Sequence, residues 1–274
     1  MLKAKITAAY VIFRLPKLKK RTKDKVNLDY NDTSWQKISY KIRTILVNNP
    51  NTNLRILLNN PVIGPNTKFA VMDSYVRTDP SSYLDFKANK LLSLFKNKNA
   101  DILELGSGFG WNLSLLRNSG HTGNLTGVDI SKEGISLASY ISDHYNLNID
   151  YKVLDITDQL QLNNLFQQNM PDVIFTYQVF EQLPHESESL VKSLIKIAPS
   201  RSFILVESSA SLRPRNFSDL LSKIYVWKKD YQTALYRTLK DFERKNLIRD
   251  LYIERLRCSH KIGNESAIYR FSSI

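Results

Sequence analysis

The sequence predicts an α/β protein built on a doubly wound, mostly parallel sheet with helices on both faces. Three observations carry this reading. Short apolar runs begin near residues 101, 125, 151, 172 and 202. Amphipathic segments at 132–145, 158–168 and 186–198 lie between them, and strands alternating with helices at this interval imply βαβ units. The first run also opens onto a glycine-rich turn followed by an amphipathic segment, the mark of a ligand site between a parallel strand and its helix.

That first run is Asp101-Ile-Leu-Glu104-Leu, followed by Gly106-Ser-Gly108-Phe-Gly110 and then by Trp111 to Arg117. Glycine lets a ligand lie against bare backbone. The dinucleotide fingerprint Gly-x-Gly-x-x-Gly would place its third glycine at 111, where this chain has Trp111. The phosphate-loop pattern is absent too, because no Lys follows the glycines. A carboxylate at Glu104 would repel a pyrophosphate and suits a cationic ligand without phosphate. S-adenosylmethionine, with its sulfonium and ammonium groups, is such a ligand.

The segment resembles motif I of the class I S-adenosylmethionine-dependent methyltransferases, with Glu104, Gly106, Gly108 and Gly110 in the family's positions. The second strand, Leu125 to Asp129, ends in an acid 19 residues after Gly110. That is the interval at which a carboxylate receives ribose hydroxyls. Ile130 follows it, and Ser131 reads as the N-cap of the next helix. The third strand ends at Asp155 and Ile156. In the family, an acid here contacts the adenine amino group and the next residue packs on the ring. The fourth strand, Asp172 to Tyr177, delivers Gln178, and Ser202 to Glu207 is the fifth. The resemblance implies a Rossmann-like seven-stranded sheet closed by two further strands, 248–256 and 267–271, with the last strand antiparallel. Gly106, Asp129, Asp155 and Gln178 then map to the carboxyl ends of strands, where such folds bind ligands. Asp158 and Asp172 each read as an ordinary helix cap or a solvated loop residue.

The flanks are read in two parts, a basic helical N-terminal cap over residues 1–95 and the methyltransferase domain over 96–274. Trp35, Ile38, Ile42 and Ile45 repeat at helical spacing within 27–48, and a second helix is expected from Ser81 to Phe95. Asn59-Asn-Pro61 breaks the chain between them. The Trp35 helix and the Asn-Asn-Pro run before Val62-Ile-Gly-Pro65 weakly resemble bacterial sugar O-methyltransferases. Residues 216–247 read as helical, with Tyr225, Trp227, Tyr231, Tyr236 and Phe242 as a core stripe.

Charge is unevenly placed along the chain. The formal balance is +13 overall, yet residues 101–200 hold 5 basic and 12 acidic residues. The basic excess lies on the flanks, most densely from Lys17 to Lys25, which suits an anionic partner, a membrane surface or a nucleic acid. A single cysteine, Cys258, excludes an internal disulfide framework and a cysteine-rich zinc site. No apolar run approaches the roughly 18 residues of a membrane span. The expectation is a cytoplasmic protein, peripheral at a membrane surface if the basic segment engages one. No acidic or His cluster has metal-ligand spacing, so no metal is expected.

Methyl transfer is an in-line displacement in which positioning supplies much of the rate. A hydroxyl acceptor also benefits from a base, and Glu181 and His185 are the candidates after the fourth strand. Many family members carry an acid-His-Leu run here; this chain has Glu181-Gln182-Leu183, and its His comes only at 185. Three functions compete. The first is methylation of a hydroxyl on a small molecule or sugar-containing intermediate. The second is methylation of RNA or protein through the basic flanks, and the third is a non-catalytic cofactor-binding protein.

Overall fold

The computed structural model describes residues 12, 14, 35–59, 69–71, 74–76, 80–168, 170–183, 187–231, 233–256, 258–259 and 265–274; for 69–71, 74–76, 80–83, 218 and 258–259 this is the backbone alone. The basic run 17–25, the stretch 60–65 and the candidate base His185 lie outside the described residues. In chain order the elements are α1 (Gln36–Asn48), α2 (Leu54–Asn59), β1 (Phe69–Val71), β2 (Ser74–Val76), α3 (Pro80–Leu94), β3 (Ile102–Leu105), α4 (Trp111–Asn118), β4 (Leu125–Asp129) and α5 (Lys132–His144). They continue with β5 (Asp150–Val153), α6 (Gln159–Gln168), β6 (Val173–Tyr177), α7 (Ser187–Ile197), β7 (Ser202–Ser208), α8 (Phe217–Lys228), α9 (Leu235–Arg244), β8 (Ile248–Leu256), β9 (Cys258–Ser259) and β10 (Ser266–Ser273).

Seven strands form one sheet in the order β5-β4-β3-β6-β7-β10-β8. β3 pairs parallel with β4, and β4 with β5. β10 runs antiparallel to both β7 and β8. From β3 the chain steps outward to β4 and β5, then returns to place β6 on the other side of β3. The crevice at such a reversal is where doubly wound sheets bind ligands. β3 is buried along its whole length, as a strand covered on both faces must be. The edge strand β8 exposes Arg249 and Asp250, charges that discourage pairing with another chain.

The chain divides into two compact units, one of residues 1–22, 65–83 and 176–274 and the other of 23–64 and 84–175. In the second unit α1 buries Ser39, Ile42 and Leu46, a stripe one residue round from the expected one. The Arg43 guanidinium lies 4.3 Å over the ring of Tyr140 on α5, and the Tyr145 hydroxyl donates to the Thr52 carbonyl at 2.5 Å. In the first unit Ile12 is buried in a cluster with Ala210, Leu221, Tyr225 and Val226.

Three features depart from the sequence expectation. The N-terminal region is not purely helical: β1 pairs antiparallel with β2 and, across most of the chain, with β9. The predicted helix 216–247 is two helices. Asp230 takes a left-handed φ of 53° and the Tyr231 N–H returns to the Val226 carbonyl, a closure that ends α8. Trp227 is 55% exposed and so leaves the core stripe, whereas Tyr225 and Phe242 are buried.

Candidate functional site

The glycine turn is pinned to the neighbouring strand. Gly106 N–H and Ser107 N–H both donate to the Val128 carbonyl, at 2.7 and 2.9 Å. Gly108 N–H donates to Asp129 Oδ2 at 2.9 Å. Gly108 and Gly110 hold left-handed φ values of 54° and 78°, where a side chain is strained. Space forbids one as well. A Cβ at Gly110 would overlap the Tyr151 hydroxyl, and one at Gly108 would stand 2.9 Å from Cζ2 of Trp35. Trp35 also packs on Phe109, ring centres 5.5 Å apart, so the residue leading into α1 lies against the turn.

Glu104 is the penultimate residue of β3 and is fully buried. Its Oε1 accepts from Asn112 Nδ2 at 2.5 Å, while Oε2 has no hydrogen-bond partner among the described residues. Burial pushes its carboxyl up to about 8, against the Asn112 bond and the charge of Lys87. The Lys87 ammonium lies 4.1 Å over the ring of Trp111, the first residue of α4. A buried carboxylate oxygen without a donor is costly. A ligand ammonium would supply that donor and charge. The turn thus fits the cationic end of S-adenosylmethionine, and its backbone leaves no room for more than glycine.

Asp129 is half-buried, which raises its pKa against two backbone bonds. Those bonds come from Gly108 N–H to Oδ2 and Ser131 N–H to Oδ1, the latter at 2.8 Å. A carboxylate has about four acceptor positions, so both oxygens keep capacity for a diol. The N-cap of α5 is Ser131, whose Oγ accepts from Gly134 N–H at 3.0 Å, so Asp129 is spared that task. Asp155 Oδ1 accepts from the Thr157 N–H and hydroxyl at 3.0 and 2.7 Å. Ile130 is half-buried and Ile156 buried. Asp158 accepts from the Leu160 and Gln161 N–H groups as a cap, and Asp172 accepts from Asp101 N–H.

The other two candidates belong to the first unit. Gln178 adopts a φ of 57°, and its side chain donates to Ser266 Oγ at 3.2 Å. Glu181 is buried in the short turn 180–182, with Oε1 accepting from Gln182 Nε2 at 3.0 Å. Sequence reasoning gave no role to Glu207. It is buried at the end of β7, and its Oε1 accepts from the Thr176 hydroxyl at 2.8 Å and from Val179 N–H at 3.1 Å. Its Oε2 accepts from Glu181 N–H at 3.3 Å. Burial pushes this carboxyl up to about 7. Glu207 therefore holds the 178–181 backbone. The signal was an acid closing an apolar strand, the same one that marked Glu104. Among the described residues, no three His, Cys, Asp or Glu side chains are grouped to hold a metal ion.

The methyltransferase domain family matches residues 72–248, well over half of the chain. The fold is similar to magnesium protoporphyrin IX methyltransferase of Synechocystis PCC 6803. Its S-adenosylhomocysteine-bound form is 14% identical with a TM-score of 0.57, over 92% of this chain and 100% of that one. Its S-adenosylmethionine-bound form is 12% identical with a TM-score of 0.51, over 86% and 97%. A protein of Pyrococcus horikoshii OT3 is 16% identical with a TM-score of 0.50, over 72% and 93%. No protein of curated function matches. With most of the sheet inside the family match and a turn suited to a cationic adenosyl ligand, the chain belongs to the methyltransferase domain family and is an S-adenosylmethionine-dependent methyltransferase.

Proposed function

We propose that the methyl acceptor is a hydroxyl of a small molecule or a sugar-containing intermediate, and that Glu181 is the base. The observation that carries this is a buried carboxylate directly after β6, on a backbone held by Glu207. A hydroxyl is a weak nucleophile until its proton is shared, which a fixed carboxylate accomplishes. The cofactor supplies a methyl carbon activated by sulfonium. Glu104, the glycine turn, Asp129 and Asp155 bind and orient it, with Ile130 and Ile156 beside the adenosyl part and Gln178 at the end of β6. Glu181 would accept the proton that the acceptor hydroxyl gives up on methylation. His185 is the alternative base.

Glu181→Gln should lower kcat by about a hundredfold or more with the cofactor Kd unchanged. Full activity in this variant would remove the base role. The acceptor class is tested by incubating the protein with methyl-labelled cofactor and fractionated cell extract. Label in small molecules or glycans supports the reading. Label confined to RNA or protein would replace it. Cofactor binding without label in any fraction would favour a non-catalytic protein. A cytoplasmic location and recruitment of an anionic partner by Lys17 to Lys25 complete the proposal.

A further inference from the structure

We infer that α8 is a membrane-surface docking element, independent of the acceptor reading. The helix is apolar on two sides. Leu221, Tyr225 and Val226 turn inward and pack with Ile12 and Ala210. Phe217, Leu220 and Trp227 lie on the opposite half and are 47%, 46% and 55% exposed. They stand at positions i, i+3 and i+10, one stripe at 3.6 residues per turn, with the partly buried Ile224 at i+7. This second stripe is about half exposed, and Trp, Phe and Leu in one exposed row mark an interaction face.

The charge around the stripe selects the partner. From Arg213 to Asp230 the chain carries five basic residues, Arg213, Arg215, Lys223, Lys228 and Lys229, against two acids, Asp219 and Asp230. Asp219 is itself paired with Arg255 at 3.2 Å. On the helix, Lys223 and Lys228 flank the stripe on either side. A helix with Trp, Phe and Leu on one face and lysines along its borders suits the headgroup region of an anionic bilayer. Trp settles at that depth, and lysine stems lie along apolar surface while their ammoniums reach phosphates. Nucleic acid would make use of the lysines but not of Phe217 and Leu220. A second copy would bring like charges together. Among the described residues no helix is long and apolar enough to cross a membrane, so the contact is with the surface.

The test is cosedimentation of the full chain with phosphatidylcholine vesicles, with and without phosphatidylserine, at low and high salt. Binding to the phosphatidylserine vesicles should weaken with salt, with a blue shift in tryptophan emission that is absent in Trp227→Phe. Leu220→Ser combined with Trp227→Ser should lower vesicle partitioning about tenfold. Thermal melting and S-adenosylhomocysteine affinity should stay those of the parent. Lys223→Glu combined with Lys228→Glu keeps the apolar stripe and should reduce the preference for anionic lipid, also when Lys17 to Lys25 are already neutralised. Three outcomes overturn the inference. The parent fails to bind phosphatidylserine vesicles at low salt; the serine variant binds them as the parent does; or the serine variant loses RNA binding or self-association while vesicle binding is unchanged.

Discussion

Two buried carboxylates at strand ends, Glu104 on β3 and Glu207 on β7, share a chemistry and differ in how it is satisfied. Both are removed from water, and in both burial raises the pKa, to about 8 and about 7 respectively. Glu207 spends its oxygens on the Thr176 hydroxyl and the Val179 and Glu181 N–H groups. Glu104 receives one bond from Asn112 and leaves Oε2 without a partner among the described residues. The lesson is that burial and a raised pKa do not by themselves mark a ligand site. What separates an anchor from a binding group is whether the fold has already used the acceptors.

The largest expected effect is on the anchor. Glu207→Ala leaves three buried donors without their acceptor and should destabilise the protein by about 3 kcal/mol. Cofactor affinity in the folded fraction should not change. Denaturant unfolding and calorimetry on the same sample separate the two, and a loss of affinity with unchanged stability would reverse the roles assigned here.

Glu104→Gln should do the opposite. Cofactor affinity should fall by about 2 kcal/mol, the scale of a lost charged hydrogen bond, with melting unchanged or raised. The pH dependence follows from the sign of the shift. Both carboxyls titrate above their unfolded value of about 4.5, so the folded state binds more protons and stability falls as pH rises. The fall runs from about 4.5 to 7 for Glu207 and to 8 for Glu104, and is flat beyond. Melting of the cofactor-free protein should trace this, and Glu104→Gln should flatten the part between 7 and 8. A ligand ammonium against Glu104 would restore the ionised form, so binding below pH 8 should release a proton. Calorimetry in buffers of different ionisation enthalpy reads that proton directly, and its absence would mean that Glu104 does not meet the ammonium.

Asp129 stands between the two extremes, because it serves the fold and keeps spare acceptors. Asp129→Ala should cost roughly 1–2 kcal/mol in cofactor affinity and about 1 kcal/mol in stability, since Gly108 and Ser131 lose their acceptor. An effect on stability alone would make it an anchor like Glu207. The smallest effect is expected at Trp35. Trp35→Ala removes the ring against Gly108 and should weaken cofactor binding by about 1 kcal/mol through a looser turn. Unchanged affinity would reduce Trp35 to packing for α1.

Much of this was legible in the chain because it is written locally. The run Ile102–Leu105, the glycines at 106, 108 and 110, and the acids at 129 and 155 are each specified within a few residues. Ser131 announced itself as a cap by its place before α5, and its Oγ accepts from Gly134 N–H. The role of Glu207 was not legible. Its donors come from residues 176, 179 and 181, and no spacing rule links them to the end of β7.

The sequence by itself determined the alternation of strands and helices from β3 to β7, the parallel sheet and the placement of the glycine turn, because hydrophobic period and turn chemistry act over neighbouring residues. Tertiary structure alone decided which acid is an anchor and which keeps a free oxygen, and that Tyr151 fills the space behind Gly110 while Trp35 lies on Gly108. It alone paired β1 with β9 and left Trp227 about half exposed while its neighbours Tyr225 and Val226 are buried. These outcomes depend on contacts between residues far apart in the chain. Burial and hydrogen-bond satisfaction belong to the packed molecule, not to any segment of it.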